Sequence, residues 1–107
     1  MSNSTEQSIE SVRDEIAGLL GWELYGSSWR FNGALYGRIH PIPSTLDGVA
    51  ALWPKGWAWI RYGCVWSANA ASRGGFGNYA HTEDTGDELA DRTRLLLAVL
   101  KAEKANG

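Results

Sequence analysis

Hydrophobic positions fall into two helical stripes near the ends of the chain, with short extended patches between them. Ile9, Val12, Ile16, Leu19 and Leu20 recur at intervals of three and four behind polar Ser4 and Thr5, and Gly21 stands where such a helix would end. At the other end Leu89, Thr93, Leu96, Leu97 and Leu100 share one face. Thr85-Gly-Asp-Glu88 precedes them with the spacing of a capping box, in which threonine and glutamate satisfy otherwise unpaired amides. Asp87 and Glu88 suit the positive end of that helix dipole, Lys101 and Lys104 its negative end, and Glu88 and Arg92 are spaced for an ion pair. Leu95 and Val99 lie off the main stripe, so this helix is expected to cover a second neighbour or a dimer contact.

Between these stripes, Ser44-Thr-Leu-Asp47 opens a short third helix with Leu46, Val49, Ala50 and Trp53 on one side, stopped by Pro54 and Gly56. Ahead of it, the stretch from Trp22 to Pro43 is broken by Gly26, Gly33 and Gly37, which predicts two short strands, the second ended by Pro41 and Pro43. Behind it, WAWIRYGCVW (57–66) reads as one strand, and FGNYAHTE (76–83) as its hairpin partner across the loop SANAASRGG (67–75). The expected order is α-β-β-α-β-β-α. This is an α/β (α+β) sandwich with a small, mostly antiparallel sheet of about four strands and three helices packed on it. One domain spans residues 1–107, with 1–5 and 103–107 expected to fray.

Composition narrows the function classes. Hydrophobic residues at 44% and charged residues at 21% describe an ordinary globular chain. A net charge of −2 leaves no basic face for direct nucleic-acid binding. Cys64 is the only cysteine, which rules out an intramolecular disulfide and points to a reducing, cytoplasmic setting. MSNSTEQS has no signal-peptide pattern, and no apolar run is long enough to cross a membrane.

Little of the chain suggests reaction chemistry. His40, Cys64 and His81 are scattered singly rather than paired at metal-ligand spacing, and Cys64 is expected to be a buried, inert thiol. Glu83, Asp84, Asp87, Glu88 and Asp91 cluster before and within the last helix, where cap, dipole and solvation account for them. The loop SRGGFGN lacks phosphate-loop spacing, although Arg73 and loop amides could grip an anion. No catalytic residue, metal or cofactor is assigned, and the expectation is a protein that is not an enzyme.

The rings of WAWIRYGCVW carry the remaining interest. In one continuous strand, Trp57, Trp59, Arg61, Gly63 and Val65 take one face, and Ala58, Ile60, Tyr62, Cys64 and Trp66 the other. Both faces are apolar, so either helices cover both, or Trp57, Trp59 and Arg61 form a platform for a partner while Ile60, Tyr62 and Trp66 turn inward. The binding residues expected on this basis are Trp57, Trp59 and Arg61, with Arg73 and Tyr79 nearby.

Three motifs carry a resemblance: LLGW (19–22), PSTLDGVAALW (43–53) and AHTEDTGDELADRTRLLLAVLKA (80–102). They resemble the helix end followed by Gly-Trp, the Tyr-Ser-Thr-Asp segment leading into an Ala-rich helix and a tryptophan (here with Pro43 in place of the tyrosine and Leu46 inserted before Asp47), and the closing strand, turn and leucine-rich helix of the phage ABA-sandwich family. That resemblance implies an α/β sandwich of bacteriophage origin and offers no catalytic residues to transfer. The expected function is that of a phage accessory protein that docks on a host or bacterial-defence protein in the host cytoplasm, in the manner of an anti-CRISPR inhibitor. One alternative is an oligomeric sponge for a small nucleotide signal, with Arg61 and Arg73 holding phosphate. Another is a minor phage structural or assembly protein. A homodimer is compatible with each.

Overall fold

A computed structural model of the chain describes residues 8–54, 56–70 and 79–106, with Tyr62, Tyr79, Ala105 and Asn106 described by their backbone. The elements run α1 (Ile9–Leu19), β1 (Trp22–Tyr25), β2 (Ser28–Phe31), β3 (Ala34–Gly37), α2 (Leu46–Ala50), β4 (Trp57–Tyr62), β5 (Val65–Ala70), β6 (Tyr79–Glu83) and α3 (Glu88–Asn106). The fold is α+β. Its strands form two three-stranded antiparallel meanders, β1-β2-β3 and β4-β5-β6, in place of the single sheet of about four strands and the order α-β-β-α-β-β-α.

Tight turns make the difference. Gly26 (φ +65°) leads a two-residue turn from Tyr25 to Ser28, and Asn32 (φ 52°) with Gly33 (φ +82°) joins Phe31 to Ala34. Asn-Gly with both φ values positive is the favoured chemistry of a type I′ hairpin, and it adds a strand to the region expected to hold two. Gly63 (φ +62°) and Cys64 form a third two-residue turn, between paired Tyr62 and Val65. WAWIRYGCVW is therefore a hairpin and not one strand. Ser67 to Ala70, expected in a loop, belong to β5. Residues 71–78, including Arg73, lie outside the described residues.

Helix ends follow local chemistry. Ser8 caps α1 by accepting from the Ser11 amide at 3.1 Å, whereas Ser4 and Thr5 lie outside the described residues. Gly21 follows the last turn at φ +100°, as the sequence predicts. Thr45 caps α2 through the Gly48 amide. At α3 the expected Thr85–Glu88 capping box is not formed. Asp87 is the cap, accepting from the Ala90 amide at 3.2 Å, and Thr85 instead turns its hydroxyl to Asp91. Glu88 is left to pair with Arg92 at 3.3 Å, as its spacing predicts.

Helix α3 is the centre of the molecule. Leu96, Leu97 and Leu100 pack with Val12, Ile16 and Ala17 of α1, Trp29 of β2, Ile42, and Val49 of α2. Leu95 and Val99, off that stripe, pack with Trp66, Ala68 and Ala80 of the second sheet. The apolar run LLLAVL is thus apolar on two sides because it is covered on two sides. Trp53, after α2, touches both clusters. No helix among the described residues is long and apolar enough to cross a membrane.

Candidate functional site

Register decides where the rings of β4 point. Trp57 pairs with Ala70, Trp59 with Ala68 and Arg61 with Trp66, and directly paired residues share a face. That face packs under α3, so Trp57, Trp59 and Arg61 lie with Trp66, Ala68 and Ala80. The opposite face carries Ala58, Ile60, Ser67, Asn69, His81 and Glu83. The expected sorting, with Trp66 on the side of Ile60 and Cys64, is therefore corrected. A turn at Gly63–Cys64 shifts the parity of every residue after it. Ile60 stands outside at 58% exposed, while Trp66 is buried at 1%.

β4 is also an edge strand, so its row follows the rim of the helix cover. Trp57 is half-buried and donates its indole N–H to Glu103 of α3. The Trp59 ring lies 5.1 Å from the Trp66 ring, with the Arg92 guanidinium 4.6 Å over it, yet it remains 37% exposed. Arg61 donates to Asp84 twice, Nε to Oδ2 at 2.6 Å and Nη2 to Oδ1 at 3.1 Å, with its guanidinium 5.0 Å from the Trp66 ring centre. This fork holds the Asp84 carboxyl below its ordinary range against an opposing desolvation effect, and the Gly86 amide assists. Its counterpart, Arg61, is raised by the same hydrogen bond.

Of the five residues expected to bind, the structure aligns Trp57, Trp59 and Arg61 in one row. Tyr79 opens β6 opposite Asn69, two strands away from β4, with its side chain outside the described residues. Arg73 lies outside them altogether. Trp66, Asp84 and Arg92 stand beside the row; they were expected to be an inward ring, part of the acidic cluster and an ion-pair partner of Glu88, and none was expected to bind. Only Gly63-Cys64, read as a turn, would have brought Trp66 and Asp84 to Arg61.

A second polar cluster lies beneath the rim. Asp91 is fully buried and accepts from Trp66 Nε1 at 3.2 Å, Thr85 N at 2.9 Å, Thr85 Oγ1 at 2.6 Å and Arg94 Nη1 at 3.3 Å. It was expected to be solvated. Its four donors instead tie the sheet, the turn after β6 and α3 to one carboxylate, which is how a buried charge is tolerated.

The remaining reactive side chains are placed apart. Cys64 is exposed in the hairpin turn, not buried as expected. His81 pairs in register with Ser67, three residues along from Cys64. His40 accepts from the Ile42 amide at Nδ1 (3.0 Å) and donates from Nε2 to Asp14 (2.8 Å), so both ring nitrogens are engaged. Among the described residues, no group of three or more His, Cys, Asp or Glu side chains is arranged to hold a metal ion. What the rim offers chemically is a part-exposed row of tryptophan and arginine in which Arg61 is paired with Asp84 and Arg92 with Glu88. No protein-family model, curated protein or solved structure matches this chain.

Proposed function

We propose that this chain acts by binding a protein partner, with Trp59 and Arg61 at the β4 rim as its anchors. The observation that carries the reading is the partly exposed Trp59 ring held between Trp66 and Arg92, beside an Arg61 whose side chain is 49% exposed and clamped by Asp84. Tryptophan and arginine are the residue types that dominate interface hot spots. Side chains already fixed by neighbours lose little freedom on docking, so contacts made through them are retained as affinity. Because Asp84 matches the charge of Arg61, the rim suits a protein surface better than a phosphate, which disfavours the nucleotide-sponge reading. The motif resemblance to the phage ABA-sandwich family supports a bacterial host or defence protein as the partner.

Native mass spectrometry of tagged protein, purified gently from bacterial cells, tests this. The expected result is one host protein at fixed stoichiometry with the wild type, lost in Arg61→Glu and Trp59→Ala variants that keep their circular dichroism. A folded variant pair that retains the partner removes Trp59 and Arg61 as anchors. A small molecule bound in place of a protein overturns the reading.

A further inference from the structure

The first sheet leaves a group of large apolar side chains uncovered. Leu24 is 54% exposed, Tyr25 65%, Leu35 63%, Tyr36 60% and Ile39 86%. Leu35, Tyr36 and Ile39 lie in or just after β3, the last strand of its sheet, with no strand beyond it among the described residues. Edge strands of this kind are usually blunted by charge or proline, and Ala34–Gly37 carries neither. We propose that β3 is the contact between two copies of this chain, paired antiparallel about a two-fold axis at Leu35. The β1-β2-β3 sheets of the two copies would then form one six-stranded sheet.

Backbone geometry selects Leu35 as the centre. A two-residue Asn32–Gly33 turn makes Phe31 and Ala34 the hydrogen-bonded pair, so the N–H and C=O of Leu35 point away from β2. On a two-fold axis there, Leu35 meets its own counterpart. Ala34 then faces Tyr36 of the second copy, and Tyr36 faces its Ala34, so a small residue stands opposite a large one twice. β3 itself carries no charged residue, so like charges do not meet within the pairing. Such self-complementarity is what an isologous dimer requires of its surface. A bulge at Tyr36, where Trp29 pairs with Gly37 and Arg30 with Leu35, shortens the regular ladder. Side chains therefore carry most of the contact.

The exposed area is of the right order for a second copy. Taking about 200 Å² for a tyrosine and about 120 Å² for a leucine or isoleucine, the three side chains present roughly 300 Å² of apolar surface per copy. With about 57% of a typical interface apolar, that corresponds to roughly 1,000 Å² buried in total. This is the lower bound for a specific interface, and it predicts a dimer that forms with rising concentration rather than a permanent one. The surface belongs to the first sheet and is independent of the β4 rim.

Sedimentation velocity from low micromolar to several hundred micromolar protein tests the proposal. The wild type is expected to pass from monomer to dimer. Leu35→Arg, at an exposed position, is expected to remain monomeric throughout with an unchanged thermal midpoint. Ile60→Arg, equally exposed on the second sheet, is expected to dimerise as the wild type does. A wild type that stays monomeric at the highest concentration overturns the proposal. So does a dimer that survives Leu35→Arg, or one abolished by Ile60→Arg.

Discussion

Removing the Asp91 carboxylate should damage this fold more than any other single polar change, while keeping its shape and removing only its charge should do less. Asp91→Ala removes the acceptor shared by the Trp66 indole N–H, which is buried and also contacts Asp84, and by the amide and hydroxyl of Thr85, which stands in an exposed turn. A hydrogen bond to a charged acceptor contributes about 1.5–3 kcal/mol, and the exposed Thr85 groups can turn to water, so the loss is about 2–3 kcal/mol. A domain of this size has a total stability of about 5–15 kcal/mol, and each kcal/mol shifts its midpoint by roughly 4–8 °C, so a fall of roughly 10–20 °C is expected. In Asp91→Asn the remaining carbonyl can still accept from Trp66 and Thr85 N. Its amide can donate to the Thr85 hydroxyl, and the part-exposed Arg94 can turn to water. That variant should lose about 1–2 kcal/mol. Urea and thermal melts followed by tryptophan fluorescence and circular dichroism measure both. Trp66→Phe combined with each in a double-mutant cycle isolates the indole contact, with a coupling of about 1 kcal/mol expected. An Asp91→Ala variant within about 0.5 kcal/mol of wild type, the ordinary range of surface changes, would refute the reasoning. Equal losses for alanine and asparagine would refute it as well.

Other predictions concern the rim and the glycines. Asp84 is held below its unfolded-state pKa by Arg61, so this pair stabilises the fold above about pH 4, the ordinary carboxylate value, and that contribution fades as pH falls through the depressed folded value. Urea midpoints measured between neutral pH and pH 3 should show Arg61→Met losing part of the wild type's acid sensitivity; an unchanged pH profile contradicts the assignment. Gly18→Ala, in a helix with no atom within 4 Å of the new Cβ, should stabilise by about 0.5–1 kcal/mol. Gly48→Ala, also helical, should do the reverse by about 1–3 kcal/mol, because its Cβ would stand 2.7 Å from Pro43 Cγ and closer still to Pro43 Cβ. Chemical denaturation of the two glycine variants side by side checks the opposite signs.

Both terminal helices and the short central one were legible because apolar spacing and caps act locally. Leu95 and Val99 also announced that α3 had a second neighbour, which proved to be the second sheet. The strands were less legible, since their assignment hinges on turns two residues long. Asn32-Gly33 is a strong hairpin signal and Gly63-Cys64 a weak one, because a glycine inside an aromatic run also suits a bulge or a close approach. Missing Gly63 was enough to place Trp66 on the wrong face, since side-chain direction alternates at every residue. Asp91 was illegible for another reason. Its donors come from Trp66, Thr85 and Arg94, and the sequence gives no sign that the first of these, 25 residues away, lies beside it.

Site-specific photo-cross-linking at position 59 tests the binding account most directly. A photoreactive phenylalanine replaces Trp59 in cells of a bacterial host, and the same probe at Ser67, on the opposite face of the second sheet, serves as control. The account predicts one heterologous protein cross-linked from position 59, absent from position 67 and lost when Arg61→Glu is added. Cross-links of equal strength from both positions, or a position-59 adduct that persists with Arg61→Glu, would contradict it.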